Sequence, residues 1–216
     1  MKTLSVKLMA LVMMMFVAQS MYANDEKFIE VMKKNIDALY QAKDEASLQT
    51  AINAFERIAS VEKTRWEPLY YSGYGNVMLA LHVQDGAKKD ALLDLALASV
   101  NKAKEILPND SELAALEGFV YMIRVTVDPP SRGPQYGGLS MQMFGKANAL
   151  NPENPRALAL MAQMQFGTAQ FFNQPTTDAC NTLNQALQKF ETFKSDNPLA
   201  PQWGKGWAES LRENCK

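Results

Sequence analysis

The sequence predicts an all-α fold, a solenoid of about four helical hairpins, and three observations predict it. Phe55, Val100, Phe144 and Phe190 are large anchors separated by 45, 44 and 46 residues, and eighteen positions after each stands a small residue: Gly73, Gly118, Ala162 and Ala208. Ala96, Val100 and Ala103, and again Ser140, Phe144 and Ala147, place small, large and small side chains four and three residues apart. That is the spacing of one α-helical face. Pro108, Pro152 and Pro198 follow their anchors at a constant eight residues and stop the stripe. Helix, proline turn and helix at a fixed period are the sign of stacked helical repeats.

The elements follow in order. Lys2 and Lys7 precede an apolar run from Leu8 to Ala18, then polar Gln19 and Ser20 and small Ala23, the layout of a cleavable signal peptide over residues 1–23. At roughly 11 residues the run is too short to span a bilayer. Cleavage is expected after Ala23, with Ala18-Gln19-Ser20 as a rival site, and residues 24–216 are expected to form one exported domain, periplasmic or secreted. Asn24 to Ala42 reads as a first helix, with Phe28, Val31, Met32, Ile36 and Leu39 at helical spacing, and Glu45 to Val61 as its partner. Trp66 to Leu81, rich in aromatics, pairs with Lys88 to Leu107 across Asp85-Gly86. Asn109 with Glu112, and Asn154 with Pro155, suit the starts of the next first-type helices. The stretch Val127 to Gly138 holds three prolines and three glycines and reads as a stiff, non-helical surface loop, a common place for binding. Phe171, Phe172 and Pro175 sit in a third connection, where the two rings either plug the core or present an adhesive edge. A last helix is expected from near Pro201, through Trp207 and Leu211, to Cys215.

The chain has 216 residues, 47% hydrophobic and 21% charged, enough for a continuous core in one domain. Removing residues 1–23 takes away two lysines and no acid, so the formal charge moves from −1 to −3. The balance carries no footprint for nucleic acid. Cys180 and Cys215 are the two cysteines; in an exported chain they are expected to form a disulfide, because antiparallel packing sets the start of one helix beside the end of the next. His82 is the single histidine, and no spacing nominates a catalytic acid, base, nucleophile or metal site. The protein is therefore expected not to be an enzyme, and no cofactor is assigned.

The order Gly118, Tyr121, Ser140, Phe144, Ala147, Pro152 resembles the tetratricopeptide repeat, lengthened by about 11 residues over its usual period of about 34. The resemblance implies a right-handed superhelix with extended hairpin turns. It also implies a concave groove lined from first helices, which carried over residue by residue gives Tyr70, Tyr74, Phe119, Met122, Arg156, Gln163 and Phe166. Such folds serve many partners, so the resemblance implies architecture more firmly than activity. The reading of function is a scaffold or adaptor that binds a peptide or envelope protein through this groove or along a loop edge formed by Arg132 and Tyr136. An oligomer would also bury an aromatic groove. The alternative is a small-molecule-binding protein or enzyme using the 128–138 loop and Arg156, and a purely structural envelope component completes the set.

Overall fold

A computed structural model describes residues 25–215, so the expected leader and its cleavage site lie outside the described residues. A helix over residues 25–41 (α1) is followed by α2 (Glu45–Val61), α3 (Glu67–His82), α4 (Gly86–Ile106) and α5 (Ser111–Val125). Then come a short α6 (Pro129–Arg132) running into a π-helical turn (Gly133–Gly137), α7 (Gly138–Leu150), α8 (Pro155–Phe171) and α9 (Thr177–Thr192). An extended segment over 193–204, α10 (Lys205–Ser210) and a 3-10 turn (Leu211–Cys215) close the chain. The described residues contain no strand. The fold is an all-α right-handed superhelix in which α3 packs on α4, α5 on α7 and α8 on α9, each hairpin leaning on the next.

The anchors do what their spacing requires. Phe55, Val100 and Phe144 are fully buried. A Cβ at Gly118 would lie 2.5 Å from Cε1 of Phe144, and one at Gly73 would lie 3.4 Å from Cγ2 of Val100, so each glycine admits the anchor of its own hairpin. The contact to the preceding hairpin is made one turn-step away, where Gly75 admits Ile52.

Three details differ from the sequence reading. Asp110, not Asn109, caps α5, its Oδ1 accepting from the Leu113 N–H at 3.0 Å; Asn109 takes the left-handed turn (φ 61°), which asparagine tolerates well. Residues 129–138, most of the expected loop, are helical. Pro129 and Pro130 occupy the first turn, where a missing N–H costs nothing, and Asp128 caps them. The widened π turn then carries Pro134 without breaking the path into α7. The last helix begins at Lys205, not near Pro201, because Gly204 takes φ 108°, a conformation that favours glycine, and the preceding residues run extended.

Cys180 and Cys215 are joined by a disulfide. It ties the start of α9 to the end of the chain and holds Leu211 and Ala208 against Leu183 and Ala186 in the core of the terminal hairpin. No helix among the described residues is long and apolar enough to cross a membrane.

Candidate functional site

The concave face is filled by the protein's own chain. From α9 the extended segment 193–204 doubles back across the first helices of the hairpins. The Tyr71 hydroxyl donates to the Leu199 carbonyl at 2.7 Å, the Gln202 N–H donates to Tyr40 Oη at 3.1 Å, and Asn197 Nδ2 donates to Glu67 Oε1 at 3.3 Å. Trp203 stacks between Tyr74 and Phe119, with ring centroids 4.8 and 5.8 Å away, and its indole N–H donates to Tyr70 Oη at 3.0 Å. Leu199 and Ala200 are buried beneath the same face. Burial holds the hydroxyls of Tyr40, Tyr70, Tyr71 and Tyr74 above the ordinary phenol range, so they are neutral, and the first three take part in these hydrogen bonds.

Arg156 lies deeper still. Its guanidinium bonds Glu112 through Nε (3.0 and 2.8 Å) and Nη2 (2.5 Å), and the Phe193 ring covers it at 4.8 Å. Burial raises the Glu112 carboxyl while Arg156 pulls it back. The pair is a buried structural tie between α5 and α8, and the segment from α9 roofs it. Phe166 is also in the core, packed with the terminal hairpin. Of the seven positions carried over to the concave groove, Tyr70, Tyr74 and Phe119 thus meet the returning segment, Arg156 is paired, and Phe166 is core. Met122 and Gln163 open elsewhere.

That other opening is a groove of about 930 Å³ between the inserted helix and α8, at the end of α5. Its floor is the end of α5, with Met122 and Val125. One wall is the inserted helix, presenting Pro129, Pro130, Gly133, Pro134 and Gly137, with Met141 from α7 beyond. The opposite wall is α8, whose Gln163, Met164, Gly167, Thr168, Gln170 and Phe171 recur at the spacing of one helical face, with Phe172 at the rim. No lining side chain is charged. The groove is open because its walls are partly bare: a Cβ at Gly133, Gly138 or Gly167 would meet no atom within 4 Å. Phe171 and Phe172, 57% and 63% exposed and edge to face at 5.0 Å, stand in water at the edge and do not plug the core.

Arg132 and Tyr136 belong to this insertion but face away from the groove. Residues 129, 130, 133, 134 and 137 share one face of the inserted helix, whereas 132 and 136 share the other. Arg132 Nη1 and Nη2 each bond a different carboxylate oxygen of Asp90 in α4 at 2.7 Å. Tyr136 stacks on Tyr121 at 6.3 Å, with the Arg124 guanidinium 5.8 Å from its ring. Arg124 also reaches Asp90 at 3.4 Å and pairs with Asp94. His82 is exposed at the end of α3, outside both regions. Sequence reasoning located the insertion and the Phe171-Phe172 edge. It missed Met141, Met164 and the glycine-bared walls, whose one signal is the recurrence of small and apolar residues at helical spacing on α8.

No family model matches the chain, and no curated protein matches it in sequence. Among solved structures, it is similar to the HusA haemophore from Porphyromonas gingivalis, with 28% identity, a TM-score of 0.78, and coverage of 88% of this chain and 92% of that one. A MamA protein (13% identity, TM-score 0.32, coverage 76% and 93%) and a MamA RS-1 ArsTM double mutant (17% identity, TM-score 0.33, coverage 78% and 98%) also match, at scores too low to carry an argument.

Proposed function

Because the chain is a tetratricopeptide-like helical protein, we propose that it is an exported binding protein whose ligand is a haem-type porphyrin, held in the groove between the inserted helix and α8. The observation that carries this reading is the groove itself: about 930 Å³, within the ~300–1,000 Å³ usual for pockets that bury a small organic ligand, and lined by methionine, phenylalanine, proline and glycine with no charge. Such a slot suits a broad, flat, apolar ring whose carboxylates stay in water at one edge. It offers haem iron the thioethers of Met122, Met141 and Met164, a ligand type that haem iron accepts. Likeness to a structure titled a haemophore over most of both chains supports the same ligand class. The disulfide and the leader-like first 23 residues support export to an oxidising compartment.

The test is absorbance titration of haem against the wild type and Gly133→Trp. Position 133 has helical backbone (φ −52°, ψ −49°) and open space above it, so the indole fills the groove without straining the fold. Saturable binding by the wild type, weakened at least about tenfold in the variant, is the expected result. No saturable change in the wild type, or equal affinity in the two, contradicts the reading.

A second reading, a peptide or partner protein on the concave face, is favoured by one observation: segment 193–204, which is neither helix nor strand, already lies there gripped by side chains. This reading requires the segment to be displaced. A synthetic peptide of residues 195–204 binding to the Trp203→Ala chain would support it; absence of binding would remove it.

A further inference from the structure

The inserted helix is attached to the body of the protein in an unusual way, and the attachment bears on the groove. Its groove face carries prolines and glycines, which supply few side-chain contacts to hold it in place. Neither α6 nor its flanking residues have a fully buried anchor before Gly137. Among the described residues, the hydrogen bonds that residues 127–138 make beyond themselves and the adjoining helices are the pair from Arg132 to Asp90. Asp90 is on α4, which does not line the groove, so the bond crosses from the insertion to a separate hairpin. Resting on the porphyrin-groove reading above, we propose that Asp90 and Arg132 are positioning residues that latch the inserted helix to α4 and thereby fix the width of the groove.

The geometry supports this role over general stabilisation. The two bonds are parallel and bidentate, and this fixes orientation as well as distance. Both side chains are about a quarter exposed, and ion pairs of that exposure add little to global stability. The Arg132 bond holds the Asp90 carboxyl below the usual carboxylate range, so the latch is charged at neutral pH. Arg124, itself nearly buried and paired with Asp94, touches the same carboxylate and stacks near Tyr136, so the pair is set against a rigid base rather than a free surface. The π-helical turn separates Arg132 from Tyr136. Val127, just ahead of the insertion, packs at Gly86 of α4, so release at Arg132 leaves the insertion held at its two ends, by Val127 and by the Tyr136–Tyr121 stack, and loosens the stretch between them.

The test uses the full exported chain as Asp90→Asn, Arg132→Met, Arg132→Lys and the Asp90→Asn/Arg132→Met double variant. The first readout needs no ligand: amide hydrogen exchange across 129–138. Exchange there is expected to quicken about tenfold in Asp90→Asn and Arg132→Met, to be partly restored in Arg132→Lys, and to be no faster in the double variant than in either single one. The rest of the chain is expected to keep its protection and the thermal midpoint to fall by no more than about 4 °C. The second readout is haem titration, where affinity is expected to fall about tenfold with the same non-additive pattern. Unchanged exchange in both single variants overturns the latch. Haem affinity unchanged in the variants while the wild type binds also overturns it. A wild type that binds no haem, with exchange responding as described, removes the porphyrin reading and keeps the latch.

Discussion

The concave face and the groove beside the inserted helix are built on opposite terms. The concave face is aromatic and hydroxyl-rich, and Tyr70, Tyr74 and Phe119, three of the four rings that the repeat pattern directs there, meet the protein's own segment 193–204 through stacking or a hydrogen bond. The groove beside the inserted helix is uncharged and bare, with glycines where side chains would close it and two phenylalanines left in water at its rim. Of the positions the repeats direct inward, Met122 and Gln163 line this groove instead of meeting the returning segment. Polar anchors with fixed directions suit a permanent, sequence-specific occupant in cis, whereas uncharged walls with adaptable methionines suit a ligand that comes and goes.

The comparison can be broken most severely at the end of the chain. Replacing Cys180 and Cys215 by serine opens a loop spanning 35 positions, and urea unfolding is expected to show a loss of about 3–4 kcal/mol. Haem affinity is expected to hold, because neither sulfur lies near the groove. Trp203→Ala comes next. Removing an indole stacked between Tyr74 and Phe119 is expected to lower the unfolding free energy by about 3 kcal/mol in denaturant titration. If the two faces are independent, haem affinity changes by less than about twofold; a large loss would show that the concave face is part of the site.

Smaller effects sharpen the other half. Phe171→Asp sits at an exposed rim, so stability is expected to stay within about 0.5 kcal/mol while haem binding weakens about tenfold in absorbance titration. Salt should matter least. With no charged side chain on the walls, affinity is expected to vary by less than about twofold between about 0.05 and 0.5 M sodium chloride. A steep loss with salt would mean that basic side chains outside the groove hold the ligand's carboxylates.

How much of this the sequence discloses depends on the range of the contacts. The stripes around Val100 and Phe144 are local, and the glycines they fill lie within the same hairpin, so the repeat architecture is legible. The 127–138 stretch is misleading because proline is read as a breaker, whereas Pro129 and Pro130 sit in a first turn that has no hydrogen bond to lose. Arg132 and Tyr136 stand out as ligand-seeking side chains, yet their partners, Asp90 and Tyr121, are set by three-dimensional packing that a helical reading of the insertion alone would have revealed as the outer face. The return of 193–204 is the least legible feature. Trp203 and Tyr70 are 133 residues apart, and an extended segment carries no periodicity to announce where it lands.

The measurement that bears most directly on the division of labour between the two faces is amide hydrogen exchange of the wild-type chain with and without saturating haem. Added protection over 129–141 and 163–172, with 193–204 unchanged, is the predicted result. Protection that appears over 193–204 and its tyrosine partners while the groove walls exchange as before would contradict it.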